Sequence, residues 1–188
     1  MKLGCVVMAA GAGSRFGSNK LLAEFRGKPL YRRALEAIPG AQFCRVAVVT
    51  GYDPVAALAA GLDFCPVKND QPELGISRTI RLGLETMKHC DGVLFMTADQ
   101  PLLTARTILN LIDAFLREPD CIAAAACAGR RGNPCLFPQW LFPELLELEG
   151  DTGGSRVIRQ HPQHLRLVET AAEELADCDT LQTLRALE

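Results

Sequence analysis

The residues best suited to chemistry sit close to the N-terminus. Leu3 to Met8 is a short apolar run that reads as a buried strand. It breaks into Ala9, Ala10, Gly11, Ala12, Gly13 and Ser14. Small residues let backbone N–H groups come close to a ligand, and glycine takes the positive φ angles that expose successive amides. Arg15 and Lys20 follow, with no acid between them. A bare-backbone turn with two fixed cations is suited to a polyphosphate. Further along, Val93 to Ala98 is another apolar run, closed by Asp99 just before Gln100-Pro101. A carboxylate at the carboxyl end of a strand points into the ligand crevice of a parallel sheet, and it is a hard oxygen ligand for phosphate-bound Mg²⁺. The competing role is a helix cap, but Thr104 is better placed to cap the helix that follows.

Two familiar nucleotide loops fail against the first stretch. Gly11, Gly13 and Gly17 carry one residue too many for a dinucleotide turn. The second strand runs into Gly51-Tyr52 without the acid that would hold a ribose. Asn19-Lys20-Leu21 lacks the Gly-Lys-Ser/Thr of a P-loop. The pattern Ala-Ala-Gly-x-Gly-x-Arg-x-Gly-x-x-Lys fits residue by residue from Ala9 to Lys20, and it resembles the signature loop of nucleotidyltransferases.

The elements that must position these residues alternate. A helix begins at Pro29 and shares Leu30, Ala34, Leu35 and Ile38 on one face; Pro39-Gly40 stops it. Arg45 to Thr50 reads as a strand, Pro54 to Ala60 as a short helix, and Leu62 to Val67 as a third strand. The loop Lys68 to Gly75 leads into a helix with Ile80, Leu84 and Met87 on one face, capped by Ser77 or a neighbour. After Asp99 comes a helix of Ile108, Leu111, Ile112 and Phe115. Then follow a strand at Cys121 to Cys127, a turn at Gly129 to Pro134 with two exposed cations, and a strand from Cys135. A helix from Pro138 to Leu148 with Trp140 in the core, a glycine-rich turn at Gly150 to Arg156, and a last strand at Leu165 to Val168 complete the body. Asp179 or Thr180 would cap a short terminal helix. Such alternation indicates an α/β fold with a mostly parallel sheet covered on both faces.

At 188 residues, without a repeat or linker, the chain is expected to be one domain, residues 1–188. The 48% hydrophobic content argues against disorder. A net charge of −2 gives no general attraction to nucleic acid or membrane, so anion binding must be local. No apolar run has the length of a membrane span, and no signal region precedes the first strand. The eight cysteines form no C-x-x-C pair, which fits a reducing cytoplasm better than a zinc site. There is no G-x-S-x-G elbow, and the histidines are expected at the surface.

Further motifs follow in order. Asn69 to Gly75 is followed by Ser77 and Thr79, and then by Ala98-Asp-Gln-Pro-Leu-Leu-Thr104. Gly132-x-Pro134-x-Leu136-Phe137, Gly150-Asp151 and Asp177-x-Asp179-Thr180 come after. Together with the first loop they resemble the molybdenum cofactor nucleotidyltransferases over nearly the whole chain. Ala9-Ala10-Gly11 and Thr104 resemble the cytidylyltransferase branch. Asn133 in place of a usual His, the extra residue at Gly154-Ser155, and Leu181 in place of a usual Pro depart from the pattern.

The resemblance implies a three-layer Rossmann-like nucleotidyltransferase fold. It implies transfer of CMP from CTP to molybdenum-bearing molybdopterin, with release of pyrophosphate. Arg15 and Lys20 would hold the triphosphate, and Asp99 with Asp179 would hold Mg²⁺, Asp177 being the other candidate for the second ligand. Ala9, Ala10, Gly11, Gly13, Gly75, Ser77, Thr79 and Thr104 would bind the nucleotide, and Asp151 and Arg156 the acceptor. The recipient molybdoenzyme or its chaperone is the implied protein partner. A relative with another phosphate acceptor, or a cofactor-delivery protein without turnover, remains open at this level.

Overall fold

The computed structural model describes residues 1–11 and 19–187. In chain order its elements are β1 (Leu3–Ala9), a small hairpin of β2 (Glu24–Phe25) and β3 (Lys28–Pro29), α1 (Leu30–Glu36), β4 (Arg45–Thr50), α2 (Asp53–Gly61) and β5 (Cys65–Lys68). Next come α3 (Ile76–Glu85), β6 (Gly92–Thr97), α4 (Ala105–Arg117), β7 (Ile122–Cys127) and β8 (Arg130–Pro138). The chain closes with α5 (Phe142–Leu146), α6 (Ser155–Gln160), β9 (Leu165–Glu169) and α7 (Leu181–Ala186). No helix among the described residues is long and apolar enough to cross a membrane.

Seven strands form one sheet in the order β5-β4-β1-β6-β8-β7-β9. β8 is antiparallel to both its neighbours, and the other pairings are parallel. Side chains alternate across the strands with period 2. On β1, Cys5, Val7 and Ala9 face one core, and Val6 faces the other. On β6, Leu94 and Met96 share the first core, while Val93 and Phe95 share the second. Helices α1, α2 and α4 cover the first face through Leu35, Val55, Ala59, Ile108, Leu111 and Phe115. Helices α3, α5 and α6 cover the second through Ile80, Leu84, Leu145 and Val157. Two helical layers around a mostly parallel sheet are what the alternation of elements predicts.

The strand order places the site. From β1 the chain moves outward to β4 and β5, then crosses back to lay β6 on the other side of β1. At such a reversal the loops leaving two adjacent strands diverge, and a crevice opens beyond their carboxyl ends. Here those ends carry Ala10-Gly11 and Asp99.

Several local expectations are corrected. The third strand is Cys65–Lys68, because Leu62 closes α2 and Asp63 takes a positive φ of 58°. The cation-bearing turn is only Ala128-Gly129; Arg130 and Arg131 already belong to β8, which runs through to Pro138. The helix expected from Pro138 shrinks to a 3-10 turn and α5, and Trp140 is 41% exposed rather than in the core. Ser77 does not cap α3: Gly75 stands at that position, and the Ser77 amide donates to the Gly150 carbonyl.

The last segment folds back over the site. Cys178 is buried in a small cluster with Phe25, Leu30 and Leu184, which ties it to the β2–β3 hairpin and to α7. Its amide donates to the Asp99 carbonyl at 3.0 Å. A main-chain bond and a buried side chain thus hold residues 177–179 against the end of β6.

One packing contact fixes the helix that walls the crevice. Gly83 of α3 lies against Val6 of β1 so closely that a methyl there would overlap the valine side chain. Gly83→Ala gains about 1 kcal/mol of helix propensity but pays about 1–3 kcal/mol for overpacking. The urea midpoint of this variant should therefore fall with the slope unchanged; a midpoint at or above wild type would show that strand and helix yield at no cost.

Candidate active site

A cavity of about 420 Å³ opens at the crevice. This is within the roughly 300–1,000 Å³ typical of small-molecule sites. Ala10 and Gly11 line it from the end of β1, Thr97 and Asp99 from the end of β6, and Gly75 and Thr79 from the start of α3. Lys20, Glu73 and Asp151 add charged groups to the lining.

Lys20 is the electrostatic centre. Its Nζ donates to Asp99 Oδ2 at 2.5 Å and to Asp179 Oδ1 at 2.8 Å. Two oxygens on one ammonium can be no further apart than those distances combined, so a small side-chain movement would let both reach one Mg²⁺ at roughly 2.0–2.1 Å. Burial pulls the Lys20 pKa down, but Asp99 and then Asp179 outweigh it and hold the ammonium above its ordinary value. Asp177 lies close enough to feel both acids. Desolvation first, then Asp99 and Asp179, push its carboxyl up to about 6. The cap reading of Asp179 does not hold, because the Thr180 hydroxyl accepts the Thr183 amide and caps α7 itself. Thr104 likewise caps α4, leaving Asp99 free of that task.

Unsatisfied polar atoms collect at the same place. Among the described residues, the buried side-chain atoms without a hydrogen-bond partner are Asn19 Nδ2, Thr97 Oγ1, Asp99 Oδ1 and Gln100 Oε1. All four belong to Lys20's neighbour in sequence or to the end of β6. A buried group left unpaired costs about 1–3 kcal/mol, more if charged, so such a concentration marks a place built for something else to bind. Asp99 Oδ1 in particular is an anionic acceptor with no donor, which suits a hard cation. No group of three or more His, Cys, Asp or Glu among the described residues is placed to hold a metal. A cation here would have two carboxylates and would need oxygens from a ligand, the arrangement Mg²⁺ takes with nucleotides.

The opposite wall is held by polar contacts within the chain. Asn69 is buried; it donates to the Thr79 hydroxyl at 3.1 Å and accepts from Arg78 Nε at 3.1 Å and the Gln71 amide at 3.2 Å. Arg78 reaches on to Asp70 at 2.7 Å. Gly75 takes a φ of 88°, and a Cβ there would strike the Gly150-Asp151 backbone. Only glycine lets the two loops touch and keeps Asp151 at the cavity rim. Tyr52 donates its hydroxyl to the Gly11 carbonyl at 3.0 Å, steadying the start of the first loop.

The structure thus gathers Lys20, Asp99, Ala10, Gly11, Gly75, Thr79 and Asp151 at one cavity, and Asp179 joins them through its bond to Lys20. Ala9 and Ser77 are buried just behind it. Thr104 does not join them: its amide and hydroxyl are bound to Glu174 at 2.9 and 2.8 Å. Arg156 is exposed on α6 and lines no part of this cavity. Gly13 and Arg15 lie outside the described residues. Sequence reasoning passed over Thr97, although one polar residue in an apolar strand, two before Asp99 and so on its face, was a usable signal. It also passed over Arg131, which donates to Ser155 Oγ at 2.8 Å beside a smaller cavity of about 90 Å³ sharing Met8 and Ile76 with the first. Tyr52 carried no signal in sequence.

Known proteins share the sequence pattern and the fold of this chain. Residues 5–165 match the MobA-like NTP transferase domain. The chain is 33% identical over 132 residues to the bifunctional enzyme IspD/IspF of Granulibacter bethesdensis, covering 68% of this chain and 34% of that protein; it thus spans about a third of the first curated relatives it matches. It is 26% identical over 188 residues to the purine catabolism protein PucB of Bacillus subtilis, covering 93% of this chain and 90% of that one. The solved manganese complex of Rv0371C from Mycobacterium tuberculosis H37Rv superposes with a TM-score of 0.76 at 23% identity, covering 100% of this chain and 98% of that one. With the family pattern spanning most of its length and the α/β fold in place, the chain belongs to the MobA-like NTP transferase domain family of nucleotidyltransferases.

Proposed function

We propose that this chain, as a single domain over residues 1–188, transfers CMP from CTP to molybdenum-bearing molybdopterin and releases pyrophosphate. The observation that carries the reading is the meeting of Lys20, Asp99 and Asp179 at the mouth of the cavity. They come from three segments of the chain, and nothing but the fold brings them together. Lys20 and Arg15 would hold the triphosphate and balance the charge that grows on the leaving pyrophosphate. Asp99 and Asp179 would hold Mg²⁺; a manganese-bound structural relative supports a divalent ion at this fold. When bound, such an ion would supply charge neutralisation to the phosphates. Ala10 and Gly11 offer a surface without side-chain bulk on which the nucleotide can lie, with Gly75 and Thr79 opposite.

The acceptor would enter past Asp151. Its phosphate is already ionised at neutral pH, so the attack on the α-phosphorus needs placement rather than a general base. The preference for cytosine rests on Ala9-Ala10-Gly11, since Thr104 is engaged elsewhere. The cluster around Lys20 brings three carboxylates to one ammonium; burial first, and then Asp99 and Asp179, raise the pKa of Asp177. That excess supports a second, divalent cation.

Pyrophosphate release, measured with each of the four NTPs with and without molybdopterin, should be greatest with CTP and should require the pterin. Equal or greater turnover with GTP would contradict the cytidylyl assignment while leaving the fold untouched.

The acid cluster gives a pH test on metal-free protein. Asp177 titrates at about 6 in the folded chain and near 3.9 in the unfolded one. The folded state therefore holds this proton more tightly. The stability it contributes is complete below about pH 4 and is lost as pH rises through about 6. In Asp177→Asn that loss is absent. Thermal melts should show the variant gaining on wild type between about pH 4 and 6 and keeping a constant lead above. A lead that does not change across this window would mean that Asp177 is neither desolvated nor crowded by its neighbours.

A further inference from the structure

Lys20 occupies the place where a metal is wanted. Its ammonium lies 2.5 Å from Asp99 Oδ2 and 2.8 Å from Asp179 Oδ1, the two carboxylates assigned above to a divalent ion. A metal bound at roughly 2.0–2.1 Å to those carboxylates leaves no room for the ammonium between them. The lysine also serves the site incompletely, since Asp99 Oδ1 stays buried and unpartnered. Its backbone is fixed: Lys20 opens a 3-10 turn whose Leu21 is buried and whose Leu21 amide is capped by Asn19 Oδ1 at 3.1 Å. The four-carbon stem can make an exchange of partners without disturbing that turn.

We propose that Lys20 is the resting counter-ion of the Asp99–Asp179 pair, and that it leaves this pair for the incoming phosphates when a divalent cation enters, so that cation and nucleotide bind as a coupled pair. The proposal rests on the reading of Asp99 and Asp179 as the metal ligands. A divalent ion arriving alone must expel Lys20 from two short ion pairs and strand a part-buried ammonium without a partner. A triphosphate arriving alone meets a lysine already neutralised by two acids. When both arrive, the ion takes the aspartates and the phosphates take the lysine, and no charge is left unpaired. Each ligand then raises the affinity for the other by the same factor, as linkage requires. The site admits the metal–nucleotide complex and discriminates against either part alone.

The test is binding of Mn²⁺, followed by its electron paramagnetic resonance signal, to wild type, Lys20→Met and Asp99→Asn. Without nucleotide, Lys20→Met should bind Mn²⁺ about tenfold or more tightly than wild type, since no ammonium has to be displaced. Asp99→Asn should lose the binding. A CTP analogue with a methylene between the α and β phosphates should tighten Mn²⁺ binding to wild type strongly and to Lys20→Met only slightly. The double variant Lys20→Met with Asp177→Asn keeps the formal charge of the cluster and guards against unfolding of the single variant; it should show the same tightening.

Equal or weaker binding by Lys20→Met, with Asp99→Asn still losing it, would overturn the counter-ion proposal and leave the metal ligands standing. Tightening of the same size with and without the analogue would mark a general effect of charge and overturn it too. No Mn²⁺ binding to wild type or Lys20→Met, with or without analogue, would bring down the proposal together with the ligand assignment.

Discussion

Everything at the crevice depends on one ammonium group meeting two carboxylates. Lys20 comes from just after the first loop, Asp99 from the end of β6, and Asp179 from the segment before the last helix. Left apart, these charges would each be solvated and would make no site. Their meeting is enforced by neutral interactions: the Cys178 amide on the Asp99 carbonyl, the Cys178 side chain in its cluster with Phe25, Leu30 and Leu184, and the buried Leu21 beside Lys20. The apolar contacts supply the free energy, and the charged groups are carried into place. This division is expected, since the cost of desolvating a part-buried ion pair offsets much of its attraction.

The topology explains why the charges meet where they do. A parallel sheet exposes the carboxyl ends of its strands along one edge, and the reversal between β1 and β6 opens that edge. The loop after β1 brings small residues, and the loop after β6 brings an acid. The start of α3 supplies the opposite wall, held by Asn69 and by the contact of Gly75 with the Gly150-Asp151 turn. A single antiparallel strand, β8, then lets the chain return far enough for the C-terminal segment to close over Asp99.

Much of this was legible in the sequence. Strands of buried β-branched and small residues such as Arg45–Thr50 announce themselves by composition, and the Ala9-to-Lys20 pattern and Asp99 before a proline announce the site. What was not legible has physical reasons. Thr104 has the composition of a ligand contact and of a helix cap alike, and only the position of Glu174, seventy residues on in the chain, decides between them. Trp140 lies on an apolar stretch, yet the stretch breaks into a 3-10 turn that leaves the indole half outside. Arg130 and Arg131 read as a turn because glycine and proline bracket them, although long strands tolerate both at an irregular pairing. The Asp99–Asp179 pairing spans the C-terminal half of the chain, and only the resemblance carried by Asp177-x-Asp179-Thr180 pointed to it, since no local periodicity encodes it.

The account stands on Asp99 and Asp179 holding one cation together. The direct measurement is the metal concentration that half-saturates pyrophosphate release in Asp99→Asn, in Asp179→Asn, and in the double variant. Two ligands of one ion act as a unit, so the double variant should require hardly more metal than the worse single variant. If the two losses instead multiply, as they do for independent sites, the aspartates do not share a cation and the account fails at its centre.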